Sequence, residues 1–166
     1  MRYAVTGAIA LGARGCVRTT LDLDLLVSAD DLPSALEALR RAGFEGEEEV
    51  EPQYVLEDPD TGAAVDLLVG FGEPELTLLR GATRVQLAGI RPRVARREHL
   101  LLTYLYSNQP RHLGDFAAIV QQGKVSRAKA RALLAELHPE MLPVFDQRWE
   151  AAANPPPPPR RPGPRR

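Results

Sequence analysis

Residues 18–27 read RTTLDLDLLV. Asp22 and Asp24 stand one residue apart among leucines and a valine whose alternation is that of a β-strand. Carboxylates are costly to remove from water, so two in one strand demand a reason. Strand alternation sends Asp22 and Asp24 to one face and Leu21, Leu23 and Leu25 to the other, where the leucines can pack on helices. About 6–7 Å apart along the strand, the two carboxylates face the same cavity. They repel each other unless a cation lies between them or one takes a proton. Mg²⁺ wants hard oxygen ligands and retains several waters, so paired aspartates together with substrate phosphates suit it. An exposed strand face can also carry acids for solubility alone, and Asp-x-Asp by itself does not separate the two readings. A third acid does. Asp66 sits in AAVDLLVG, a later strand that is otherwise apolar. It would complete a site for two metal ions, the arrangement that clamps attacking and leaving oxygens in phosphoryl or nucleotidyl transfer.

The neighbouring elements must hold these acids in place. YAVTG reads as a short strand stopped by Gly7, and AIALGARG as a helix ending at Gly15. Small residues opening a helix after Gly7 present backbone N–H groups to a phosphate, although an ordinary tight turn looks the same. Ser28, Asp30 and Asp31 open a second helix, with Pro33 in its first turn, Leu32, Leu36 and Leu39 on one face and Gly43 at its end. QYVLEDPDTGAAVDLLVG is a hairpin turning at DPDTG, and TRVQLAG with IRPRVA forms a second one about Gly89. After Arg96 the chain turns helical: REHLLLTYLYS, RHLGDFAAIVQQG, SRAKARALLAEL from a Ser cap, and PEMLPVFDQRWEAAA, whose Phe145 and Trp149 make an apolar stripe. The fold class is therefore α/β (α+β), a mixed α/β half over 1–96 and a helical half over 97–153. The Pro/Arg-rich tail, 154–166, can form neither helix nor sheet and is expected to be disordered.

Apolar residues make up 44% of the 166, enough for a folded core. No run of eighteen apolar residues exists, so no membrane span is expected, and the N-terminal apolar run passes straight into organised structure, unlike a signal peptide. Cys16 is alone, which excludes an internal disulfide and a cysteine zinc cluster and makes the cytoplasm the expected compartment. The net charge is −1, but Arg160, Arg161, Arg165 and Arg166 lie in the last seven residues, leaving the body near −5. Its densest acidic run, EGEEEVE, reads as a solvated loop or face. An acidic body argues against a broad nucleic-acid surface, though not against a local basic groove, and the arginine tail is a solubilising or charge-docking segment. His112 and Asp115 lie three apart on one helical face, either as phosphate contact and orienter or as a polar pair at a helix start. His99 and His138 have no partner pattern and are expected at the surface or at caps. The glycines of VTGAIALGARG (Gly7, Gly12 and Gly15) miss the dinucleotide-binding spacing.

The stretch GAIALGARGCVRTTLDLDLLV resembles the active-site segment of the DNA polymerase β-like nucleotidyltransferase superfamily: a glycine followed by Gly or Ser, a helix, Asp-x-Asp in a strand, and a third Asp beyond. More narrowly, Gly7, Ala10, Gly15, Arg18, Thr20, Asp22 and Asp24 resemble the minimal AbiEii-type nucleotidyltransferases of bacterial toxin–antitoxin systems. The likeness runs over roughly residues 3–120, through GFEGEEEVE, VDLLVG, REHLLL and GDFAAIV in the group's order. It implies a nucleotidyltransferase-like mixed sheet with flanking helices. It also implies Mg²⁺, two ions, held by Asp22, Asp24 and Asp66, with Asp66 helping to deprotonate the attacking hydroxyl. The Gly7–Ala8 turn, Arg18 and Thr20 would contact the NTP. Acceptors in the superfamily include tRNA 3′ ends, protein hydroxyls and small antibiotics, so the resemblance allows a tRNA-modifying toxin with an antitoxin partner without requiring one. Two departures stand out. Ala8 replaces the usual Gly or Ser, and EHLLLTYLYS lacks the phosphate-binding Lys usual in that helix, leaving Arg111, His112 or Arg18 to supply the charge. The alternative is a catalytically inert nucleotidyltransferase-like domain that binds a protein partner; three retained aspartates speak against it.

Overall fold

The computed structural model describes residues 1–16, 19–50 and 53–155. Its first half comprises β1 (Tyr3–Val5), α1 (Gly7–Ala13), β2 (Asp22–Ser28), a 3₁₀ turn (Ala29–Asp31), α2 (Leu32–Arg41), β3 (Glu45–Val50), β4 (Gln53–Glu57) and β5 (Ala64–Gly70). Then come α3 (Glu73–Gly81), β6 (Thr83–Arg84), β7 (Arg93–Val94), α4 (Arg97–Leu105), α5 (Pro110–Gln121), α6 (Arg127–Leu137), a 3₁₀ turn (Pro139–Met141) and α7 (Leu142–Ala153). The strands form one mixed sheet in the order β3-β4-β5-β2-β1-β7-β6. β2 runs antiparallel to β1 and parallel to β5, so the aspartate-bearing strands lie side by side at the middle of the sheet.

Alternation along β2 and β5 divides their residues between two cores. On one face Leu26 joins a large core that takes in Leu11 of α1, Leu78 and Leu79 of α3, and buried side chains of α4 to α7. On the other, Val27 and Leu67 pack with Leu56 and with Ala35 of α2 in a smaller cluster. The helical half is joined through aromatic contacts: the rings of Phe116 and Phe145 meet edge to face at 6.4 Å, and Trp149 lies 5.5 Å from Phe145. Arg14 ties α1 to β7 by donating from Nε to the Ala95 carbonyl at 2.9 Å and from Nη2 to the Val94 carbonyl at 2.8 Å.

The structure departs from the sequence expectations at several places. The acidic run is not a loop: Glu45–Val50 is β3, paired antiparallel with β4 and lying at the sheet's edge. Charge on an edge strand does not oppose backbone pairing and discourages further strand addition, and a run of charge along the sequence does not by itself distinguish a solvated loop from an edge strand. Residues 73–81 form α3, which the sequence reading passed over. Pro74 occupies its first turn and Glu75 accepts a hydrogen bond from the Gly72 N–H at 3.1 Å, both helix-start devices. The second hairpin shrinks to two-residue strands because Val94 is recruited beside Val5 of β1. Leu21 precedes the strand and is 90% exposed rather than packed on a helix. His99 is buried, not at the surface, whereas His138 follows α6 directly and bonds Glu140 at 2.9 Å. Residues 156–166, most of the expected tail, lie outside the described residues.

Burial lowers the His99 pKa below its ordinary value of 6.5, with Glu98 opposing and Arg96 adding to the effect. The unfolded chain therefore takes up this proton first as pH falls. The stability contributed by neutral His99 is present above 6.5 and is lost as pH drops through the lower folded-state value. Urea unfolding between pH 7.5 and pH 5 should show wild-type stability falling more steeply than that of a His99→Leu variant. Parallel slopes for the two proteins would be inconsistent with a neutral, buried imidazole.

Candidate active site

The in-register parallel pairing of β2 with β5 sets Asp24 directly beside Asp66, and Asp22 beside Ala64. Adjacent strands are about 4.8 Å apart, so Asp24 and Asp66 extend from neighbouring positions on the same face. Asp22 precedes Asp24 on that face and is exposed, while Asp24 and Asp66 are half-buried. The acids thus line an open pocket rather than being enclosed among hydrophobes.

The start of α1 closes against this pair. The Thr6 N–H donates to the Asp24 carbonyl at 2.9 Å, and Gly7 follows in the left-handed region at φ 57°. A Cβ on Gly7 would lie 1.8 Å from Asp24 Oδ2. Only a residue with no side chain lets the helix start so close to the carboxylate. The pocket has a volume of about 260 Å³. Gly7, Thr20, Asp22, Asp24 and Asp66 line one part, and Tyr104, Arg111 and His112 from α4 and α5 line another.

The helical half orients its contribution through hydrogen bonds. Arg111 Nε donates to Gln109 Oε1 at 2.8 Å. His112 Nδ1 lies 2.7 Å from Ser107 Oγ, and its ring is 5.2 Å from that of Tyr104. Arg148 of α7 grips the same connection, donating from Nη1 to the carbonyls of Leu105 at 2.8 Å and Ser107 at 2.9 Å, and from Nη2 to Asn108 Oδ1 at 2.6 Å. A positively charged side chain therefore stands across the pocket from three carboxylates, the polarity needed to hold a polyphosphate between a cation site and a basic wall.

Of the residues singled out in the sequence, Asp22, Asp24, Asp66, Gly7, Thr20, Arg111 and His112 come together in this pocket. Thr20 Oγ1 accepts from the Asp22 N–H at 3.4 Å, shaping the entry to β2. Ala8 does not line it: the residue as a whole is buried, 1% exposed. Arg18 lies outside the described residues. His112 and Asp115 diverge despite their spacing, because Asp115 is buried and lines a different cavity with Cys16 and Gln122. Sequence reasoning missed Tyr104 and Leu21 as lining residues. Tyr104 sits in a continuous apolar helix and carries no signal to distinguish it from core. Leu21 adjoins Asp22 in a strand-like alternation that conceals its exposure. The roles of Ser107 and Arg148 depend on contacts 5 and 41 residues apart and leave no local pattern.

Among the described residues no group of three or more His, Cys, Asp or Glu side chains is placed to hold a metal ion by itself, and no helix is long and apolar enough to cross a membrane.

No protein-family model matches the chain, and no curated protein sequence matches it significantly. Solved structures do share its fold. The solution structure of the antibiotic-resistance factor ANT(2'')-Ia aligns with a TM-score of 0.57 and 17% identity, covering 90% of this chain and 84% of that one. The crystal structure of ANT(2'')-Ia in complex with adenylyl-2''-tobramycin gives 0.61 at 16% identity, covering 89% and 88%. The lincosamide antibiotic adenylyltransferase LnuA, lincomycin-bound, gives 0.51 at 13% identity, covering 70% and 84%. The mixed sheet with its helical half is thus the nucleotidyltransferase fold.

Gly7→Ala forces a side chain into the left-handed region and against Asp24, and should cost roughly 1–2 kcal/mol from backbone conformation before the displaced carboxylate is counted. Gly12→Ala is the control, since among the described residues a Cβ there meets nothing within 4 Å. It should be neutral or stabilising by about 0.5–1 kcal/mol. Urea denaturation of both variants checks this, and equal effects would contradict the close approach at Gly7.

Proposed function

We propose that the protein is a Mg²⁺-dependent nucleotidyltransferase that moves NMP from an NTP to an acceptor hydroxyl. The observation that carries this reading is the register of β2 and β5, which sets Asp24 beside Asp66, with Asp22 next on the same face and Arg111 and His112 lining the same pocket. The donor set fits magnesium. Carboxylate oxygens are hard ligands, and Mg²⁺ takes one or two of them together with waters and substrate phosphates, so an all-protein cage of three acids is unnecessary. Asp22, Asp24 and Asp66 would hold it, and when bound it would supply charge neutralisation at the reacting phosphates.

The chain's own groups do the rest. The first-turn N–H groups of α1, which helix geometry leaves without an intrahelical acceptor, bind phosphate oxygens. Arg111 and His112 contact the triphosphate and take the place of the lysine absent from α4. Asp66 accepts the proton of the acceptor hydroxyl, whose oxygen then bonds to the α-phosphorus. The bond from that phosphorus to the β-phosphate bridging oxygen breaks, and pyrophosphate leaves.

A small hydroxylated molecule is the favoured acceptor. The body of the chain is acidic, and the similar structures include one with adenylyl-2''-tobramycin and one with lincomycin. The four terminal arginines favour a second reading, in which a tRNA end is the acceptor and the chain is a toxin with an antitoxin partner.

Calorimetric titration of each NTP, with and without Mg²⁺, should show Mg²⁺-dependent binding that an Asp22→Ala/Asp24→Ala variant lacks. With a labelled NTP, Asp66→Asn should lower transfer by on the order of 10²-fold or more, the scale of removing one group that acts in the transition state. Incubation with an aminoglycoside and lincosamide panel and with tRNA identifies the acceptor class. Absence of wild-type NTP binding up to millimolar concentration would point instead to an inert domain that binds protein.

A further inference from the structure

The connection between α4 and α5, residues 106–109, is held from outside by Arg148 of α7. Its guanidinium donates to the carbonyls of Leu105 and Ser107 and to Asn108 Oδ1. Within the connection the half-buried Ser107 hydroxyl has two partners among the described residues. The Gln109 N–H donates to it at 3.2 Å, and His112 Nδ1 lies 2.7 Å away.

Those two contacts assign a proton. A serine hydroxyl has one hydrogen and two lone pairs. A backbone N–H can only donate, so Gln109 takes a lone pair, and the hydroxyl hydrogen has His112 Nδ1 as its acceptor. A neutral imidazole carries a single N–H, and the hydrogen bond made at one nitrogen decides which of the two bears it. With Nδ1 accepting, the proton sits on Nε2. The charge of the pocket favours the same tautomer. An unprotonated Nε2 would bring a lone pair into a pocket that His112 shares with Asp22, Asp24 and Asp66. The hydroxyl also fixes the ring's orientation, because a half-turn about χ2 would put Cδ2 in place of Nδ1 and lose the bond. The Tyr104 ring, buried and 5.2 Å away, backs the imidazole in that orientation.

We propose that Ser107 is a positioning residue that holds His112 as the Nε2–H tautomer and so presents a neutral N–H donor to the triphosphate of the bound nucleotide. Phosphate oxygens are acceptors, so a bare Nε2 could not serve there. Arg148 acts one step further out, by holding the segment that carries Ser107. The role in nucleotide binding rests on the nucleotidyltransferase reading of the pocket; the place of the proton does not.

The full-length protein with nitrogen-15 histidine, without ligand and at about pH 8, tests the tautomer, since the ordinary imidazole pKa is about 6.5. Of the three histidines, His112 is identified by the signals that a His112→Gln variant lacks. Its ring should show the proton on Nε2, and Ser107→Ala should move the Nδ1 signal while Ser107→Thr, which keeps the hydroxyl, restores it. A serine that merely braced the connection would leave that signal in place. In calorimetry, Ser107→Ala should bind Mg²⁺–ATP roughly 2- to 10-fold more weakly than wild type, the scale of one net hydrogen bond, and Ser107→Thr should bind it as wild type does. A proton on Nδ1 in the wild type, or an Nδ1 signal unmoved in Ser107→Ala, would overturn the tautomer. Unchanged ATP affinity in Ser107→Ala, or equal weakening in Ser107→Thr, would overturn the positioning role. No ATP binding by the wild type would sink the transfer reading and this role with it, and the ring signals would still decide the tautomer.

Discussion

The molecule depends on the register between β2 and β5. A parallel pair shifted by one residue would turn Asp66 to the opposite face, into the cluster of Val27, Leu67, Leu56 and Ala35, and would expose Leu67 in its place. The cost of burying a carboxylate among hydrophobes and the loss of apolar burial both oppose that slip. The same forces that pack the sheet therefore bring Asp24 and Asp66 together. Their mutual repulsion is tolerated because the pocket is open to water, and it is relieved outright when a cation lies between them.

Every other component of the pocket answers to that pair. The glycine at the start of α1 is required because Asp24 already occupies the space a side chain would need. The helical half supplies the opposite charge from the first turn of α5, which carries Arg111 and His112. Arg148 holds the carbonyls of the connection before it, Ser107 within that connection meets His112, and the aromatic contact of Phe116 with Phe145 holds α5 against α7. The pocket is thus assembled from two halves that meet only in three dimensions, and rigid elements set its geometry on both sides.

The sheet face that carries Asp24 and Asp66 changes from acidic to apolar within one strand repeat. Asp24 and Asp66 lie beside solvent, whereas Leu26 and Leu68 lie under α3 and α4. The same sheet face thus carries a charged, water-exposed end and an apolar, helix-covered one.

Alternation in LDLDLLV and the lone aspartate in AAVDLLVG were sufficient to identify the three acids and their strands, because side-chain direction in a strand is a local property of the backbone. Helix periodicity and capping likewise made α2 and α4 to α7 legible. The sequence could not reveal that EGEEEV pairs as an edge strand, since the pairing is decided by the hydrogen-bonding edge of β4 and not by the charge of the glutamates. Nor could it separate Tyr104 from the core residues of its helix, or show that His99 is buried, because burial depends on which elements pack against a position. Spacing of three placed His112 and Asp115 on one helical face, yet helix packing sent them to different cavities. Local chemistry and periodicity are set by the order of residues along the chain. The adjacency of Asp24 to Asp66, the approach of Arg111 and His112, and the packing of His99 against Gly81 are long-range contacts, which only the tertiary fold decides.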